Sequence, residues 1–116
     1  MATKPITQQE FEQLSEGSGI TLVDFWADWC APCHRFAPIY EKVSDNHPDI
    51  TFAKVDTEAE QALAVELGIQ AIPTLMAVRD GVVVFQHAGM LPENLLENVI
   101  SQVEELDMDE VRAKAS

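Results

Sequence analysis

A chain of 116 residues suits one compact domain and leaves little room for a second. Its hydrophobic fraction, 47%, is ordinary for a globular protein, and a domain of this length buries roughly two-thirds of the surface its unfolded chain exposes, so it folds without disulfide staples. A net charge of -13 speaks against nucleic acid and anionic membrane surfaces as partners, because both demand clustered Lys and Arg.

Met1 to Phe11 is polar and lacks the apolar stretch of a secretion signal; no apolar run approaches membrane-spanning length. The expected compartment is therefore the cytoplasm. Thr7-Gln8-Gln9-Glu10 fits a helix-capping box, in which the Thr7 hydroxyl and the Glu10 carboxylate each satisfy a backbone N–H. Phe11 and Leu14 give that helix an apolar side, and Gly17-Ser18-Gly19 ends it. Ile20 to Ala27 is β-rich and almost continuously apolar, as suits a central strand covered on both faces. A helix is expected from about Cys30 to Asn46, with Phe36, Ile39, Tyr40 and Val43 at helical spacing and a kink at Pro38. Ile50 to Asp56 is a second strand. Glu58 to Leu67 is a short helix that Gly68 caps in the left-handed conformation. Thr74 to Val78 and Val82 to Ala88 form a hairpin around Arg79-Asp80-Gly81. A last helix starts near Pro92, with Leu96, Val99, Ile100, Val103 and Leu106 on one side. The acidic residues Glu93, Glu97, Glu104, Glu105, Asp107, Asp109 and Glu110 fall in a stretch with no base, read as a solvated helix face and a soluble tail rather than a docking surface for a basic partner. Alternating strands and helices followed by a hairpin give a mixed sheet with helices on both faces.

The chemistry is concentrated in Cys30-Ala31-Pro32-Cys33. Three residues of helix advance about 4.5 Å, near the short end of the roughly 4.4–6.8 Å that a disulfide accepts between Cα atoms. Pro32 stiffens the first turn, where its missing N–H costs nothing. The thiolate is the reactive species, and a free helix N-terminus at Cys30 favours negative charge by about 0.3–2 kcal/mol, up to about 1.5 pKa units. A structural zinc site needs four ligands, and two cysteines with His34, His47 and His87 supply no second Cys-x-x-Cys. No metal is expected, and a reversible dithiol is favoured over two inert core cysteines.

Asp24 is a carboxylate inside the apolar run Leu22-Val23-Asp24-Phe25-Trp26. A buried, unpaired charge is expensive, so Asp24 must be neutralised, paired or near water, unless it faces solvent at a strand edge.

Trp26-Ala27-Asp28-Trp29-Cys30-Ala31-Pro32-Cys33 resembles the active-site signature of thioredoxins, as do Leu22-Val23-Asp24-Phe25 before it, Lys54-Val55-Asp56, Ala71-Ile72-Pro73-Thr74 and Gly89 at the expected order and separation. The similarity runs from about Thr7 to Leu106. It implies an α/β thioredoxin fold: a central five-stranded mixed sheet flanked by four helices, forming one domain over residues 1–116 with its core at about 7–106 and an acidic extension at 107–116. It implies Cys30 as the exposed nucleophile and Cys33 as the more buried resolving thiol, acting through a mixed disulfide on Cys30. It makes Asp24 the proton acceptor for Cys33, through water, and Lys54 its electrostatic partner. Pro73 resembles the family's cis-proline, and Trp29, Pro32, Ile72, Pro73, Gly89 and Met90 are expected to rim an exposed apolar patch that takes extended substrate segments. The resemblance further implies protein disulfides as substrates and a monomer recycled by thioredoxin reductase. The NADPH and FAD belong to that reductase, and no cofactor is bound here beyond the Cys30–Cys33 disulfide.

Three positions depart from the pattern. Ala31 stands where a glycine is usual, and a redox-state difference of about 1.4 kcal/mol there would move the potential by about 30 mV. His34 replaces a common lysine, either as a solvated surface residue or as a charge that tunes the thiols near neutral pH. Met90 is bulkier than the residue usual beside Gly89. The competing functions are a disulfide oxidase or isomerase on the same fold and a non-catalytic binding module.

Overall fold

A computed structural model describes residues 2–115; Met1 and Ser116, the ends of the expected domain, lie outside the described residues. The elements in chain order are β1 (Thr3–Pro5), α1 (Gln8–Gln13) running into a 3-10 turn (Leu14–Glu16), β2 (Ile20–Trp26), α2 (Ala31–Asp45), β3 (Thr51–Asp56), α3 (Gln61–Glu66), β4 (Thr74–Arg79), β5 (Val82–Ala88), α4 (Glu93–Glu105) and α5 (Met108–Ala115). The five strands lie in the order β1-β3-β2-β4-β5. β1, β3 and β2 are parallel, whereas β4 is antiparallel to both β2 and β5.

Side-chain alternation along β2 divides the core in two. Leu22 faces α2 and α4, packing with Phe36, Tyr40, Phe52, Leu96 and Ile100. Val23 and Phe25 point the other way, packing with Ile6, Val55, Leu63 and Met76 under α1 and α3. The continuous apolar run of β2 follows from this double burial. Asp24 shares the face of Leu22, and it lies directly opposite Lys54 on β3 and Leu75 on β4.

Local chemistry sets the element ends. Thr7 closes its capping box with Glu10. Asp56 Oδ1 accepts the N–H groups of Glu58 and Ala59, so the chain turns there before α3 can start, later than expected. Gly68 ends α3 at φ 70°. Asp80 and Gly81 both have positive φ, 50° and 81°, the signature of a tight hairpin turn. A Cβ on Gly81 would stand 2.3 Å from the carbonyl oxygen of Ser15. Gly81→Ala should therefore lower stability by about 2 kcal/mol or more, read as a shifted urea midpoint at unchanged slope.

Reading elements in chain order found four of the five strands. It missed β1, three residues that include Pro5, too short to show any alternation. The sheet thus begins before the expected core start at Thr7. The acidic tail is also corrected: residues 108–115 form α5, making five helices rather than four. Asp107 Oδ1 accepts the N–H groups of Asp109 and Glu110, acids occupy the first turn and Arg112 and Lys114 the last, as the helix dipole favours. Met108 is 8% exposed, and Arg112 donates to the Asp80 carbonyl, tying α5 to the hairpin turn. Arg79 donates to the carbonyls of Val103, Glu104 and Leu106, satisfying the open end of α4.

Candidate active site

β2 ends at Trp26, and the segment Ala27–Cys30 carries the chain over the sheet edge into α2. Cys30 is the N-cap of α2: its backbone is extended, its N–H donates to the Ala27 carbonyl at 3.2 Å, and its Sγ accepts the N–H of Cys33 at 3.2 Å. The two cysteines form a disulfide with Cα atoms 5.3 Å apart. Sulfur thus occupies the place that an oxygen fills at most helix starts, and a thiolate there would receive an N–H and the positive end of the fifteen-residue α2.

The expected contrast between an exposed Cys30 and a buried Cys33 is not found in this bridged form, where they are 3% and 2% exposed. In this form the Cys30 sulfur is bonded to Cys33 and lies 3.6 Å from the Ile72 carbonyl oxygen. What separates the cysteines is their surroundings: Cys30 stands at the helix start beside Trp29, and Cys33 belongs to the buried face of α2 with Phe36 and Tyr40.

The Ile72–Pro73 peptide is cis, and it delivers the Ile72 carbonyl to Cys30. The Pro73 carbonyl accepts from Gly89 N at 2.8 Å, which joins the end of β5 to the same loop. Trp29 is 70% exposed and Ala31 is exposed, whereas Pro32, Ile72, Gly89 and Met90 are half-buried and Pro73 is buried. The surface around the disulfide therefore has one strongly projecting side chain, the Trp29 indole, among half-buried neighbours. Met90 packs against the core cluster that includes Leu91 and Leu96.

Asp24 is 1% exposed, and neither carboxylate oxygen has a hydrogen-bond partner. Burial pushes its pKa up to about 7, with the charge of Lys54 pulling the other way. Lys54 does not hydrogen-bond Asp24; its Nζ sits 4.7 Å from the centroid of the Trp26 ring. Tyr40, on the same face, donates to the Ala53 carbonyl, and burial followed by the nearby Asp24 and Glu41 raises its pKa well above normal. Among the described residues, no group of three or more His, Cys, Asp or Glu side chains is placed to hold a metal ion.

Sequence reasoning singled out the cysteines, Asp24, Lys54 and the Ile72–Pro73 loop; the structure brings the Ile72 carbonyl to Cys30 and sets Lys54 opposite Asp24 across the sheet, where its charge acts on the carboxyl without a hydrogen bond. It missed the stacking of Lys54 on Trp26. It also missed a hydrogen bond between the His34 ring and the Asp28 backbone. The signal for the second was present: both residues flank the cysteines.

The sequence model of the family described as Thioredoxin matches residues 2–102. The Streptomyces coelicolor protein named "Putative thioredoxin 2" is 50% identical over 111 residues, covering 96% of this chain and 83% of that protein. A thioredoxin of Bacillus subtilis is 34% identical over 103 residues, covering 88% of this chain and 98% of its own. The solved structure of a mutant thioredoxin from Halobacterium salinarum superimposes with a TM-score of 0.81 at 32% identity, covering 90% of this chain and 93% of that one. No helix among the described residues is long and apolar enough to cross a membrane. With a cysteine pair at bridging distance closing the first turn of a helix that leaves a mixed sheet, and with the family match over most of its length, the chain belongs to the thioredoxin family of thiol–disulfide oxidoreductases.

Proposed function

We propose that the protein works in the reducing direction, as a monomeric cytoplasmic electron carrier that reduces protein disulfides and is itself recycled by a flavoprotein thioredoxin reductase using NADPH. Residues 1–116 act as one domain. The observation that carries the reading is the Cys33 N–H donated to Cys30 Sγ at the start of α2, which singles out Cys30 as the sulfur best able to hold negative charge.

The cycle begins with the Cys30 thiolate attacking one sulfur of a substrate disulfide. The other substrate sulfur leaves as a thiolate, and a mixed disulfide stands on Cys30. Cys33 then loses its proton, relayed through water, to the Asp24 carboxylate and attacks Cys30 Sγ. The second substrate thiolate leaves, and Cys30 and Cys33 are bridged. Two electrons have passed to the substrate. Trp29, Ala31, Pro32, Ile72, Pro73, Gly89 and Met90 receive the substrate segment, with the Ile72 backbone beside the reacting sulfur. Lys54 biases Asp24 toward its ionised form.

The direction is tested by the reduction potential of the Cys30–Cys33 couple, measured in dithiol/disulfide buffers by thiol titration. A value near the roughly −270 mV typical of thioredoxins is expected. A value above about −180 mV would identify an oxidase or isomerase instead.

A further inference from the structure

We infer that His34 is a positioning residue for the attacking thiol: its ring clips the backbone that presents Trp29 and Cys30. The inference rests on Cys30 being that thiol. His34 Nε2 lies 2.5 Å from the carbonyl oxygen of Asp28 and 3.8 Å from an oxygen of the Asp28 carboxylate. A carbonyl only accepts, so Nε2 carries the proton and donates. The donor is present in the neutral ring as well as in imidazolium, which makes the contact independent of charge.

The geometry gives this contact its consequence. Asp28 precedes the exposed Trp29, and His34 sits one turn after Cys30, where its own N–H donates to the Cys30 carbonyl at 3.3 Å. Side-chain and backbone contacts from one residue therefore reach both sides of Trp29-Cys30. The ring also meets Trp26 edge-on, centroids 6.3 Å apart at 80°, and Trp26 in turn carries Lys54 on its face. The other ties of the segment between β2 and α2 are at Cys30, whose N–H donates to Ala27 and whose Sγ accepts the N–H of Cys33. Without the His34 contact, Asp28 and Trp29 are held only at their ends. A lysine here could donate as well, but on a flexible stem with no ring to lean on Trp26. A hydrogen bond at a partly exposed site changes an equilibrium by about threefold to tenfold, and this one bears on the placement of Cys30.

The test compares His34→Ala, His34→Gln and His34→Lys in the reduced full chain. One readout is the hydrogen-exchange rate of the Cys30 amide by NMR. The other is the second-order rate of attack on oxidised glutathione, followed by tryptophan fluorescence at pH 7. His34→Ala should speed exchange and slow attack by about threefold to tenfold each, and His34→Gln, whose amide donates without charge, should restore both. Wild-type values in His34→Ala would overturn the proposal. So would a His34→Gln as impaired as alanine beside a His34→Lys that restores attack, since charge would then be what His34 supplies. The exchange readout does not depend on which sulfur attacks. If Cys30 is not the nucleophile, Cys33→Ser captures no substrate, and that failure is seen separately.

Discussion

Cys33→Ser should convert a turning cycle into a covalent trap. The Cys30 thiolate still attacks, because what favours it is unaltered: the N–H of residue 33 is a backbone group, and the start of α2 is unchanged. The mixed disulfide then has no internal thiol to resolve it. Release must await an external thiol at millimolar concentration, whereas a neighbouring thiol held at bridging distance has an effective concentration of molar order or above. Turnover should fall by about a thousandfold or more. Intact-mass spectrometry after mixing with a disulfide-bonded peptide should find one peptide per chain, attached at Cys30. Cys30→Ser should hold no adduct, since Cys33 lies on the buried face of α2 and the N-cap position belongs to residue 30. A stable adduct on Cys33 in Cys30→Ser would reverse the two roles.

The fold was legible wherever one rule acted alone. The Thr7–Glu10 box, Gly68, and Asp80-Gly81 all ended or turned the chain where their side chains or their lack of one require it. β1 was not legible because Thr3–Pro5 owes its strand state to the edge of β3, a long-range partner that no local pattern announces. α5 was misread for a different reason. Charge density suggested a solvated tail, yet the charges are ordered along the helix, acids first and bases last, and Met108 and Val111 stand three apart to give it an inner side. Order, rather than amount, was the informative quantity.

The site divides in the same way. The cysteine spacing gives bridging distance directly, and Asp24 stands out as a charge in an apolar strand. The family resemblance made Lys54 the electrostatic partner of Asp24, and its charge does act on the carboxyl. Its side chain also lies over the Trp26 ring, a contact that no local pattern announces. Exposure of Cys30 was likewise not legible: the resemblance implied an exposed thiol, whereas in the bridged form Cys30 is as buried as Cys33.

Asp24→Asn should stabilise the protein while slowing it. In the folded chain the carboxyl holds its proton until about pH 7, whereas in the unfolded chain it ionises near 3.8. Between those values the folded state binds a proton that the unfolded state has lost, so stability contributed by Asp24 is full at low pH and drains away as pH rises. By pH 8 the accumulated cost is about 4 kcal/mol. Asparagine carries no charge to bury, although its amide is still polar in a site that offers no partner. The variant should therefore unfold at higher urea than wild type at pH 8, by about 2–4 kcal/mol, and the two should converge near pH 4. A difference independent of pH would mean that Asp24 is not an isolated buried acid. The same proton equilibrium sets the kinetic effect in the opposite sense. Only the ionised carboxylate accepts the Cys33 proton, so resolution of the mixed disulfide in wild type should accelerate as pH rises through about 7. In Asp24→Asn that inflection should vanish and the rate at pH 8 should fall about a hundredfold, measured by rapid acid quench. A carboxylate that costs stability where it is ionised is retained for what it does in that form, and the two halves of the experiment, taken on one variant, test that trade directly.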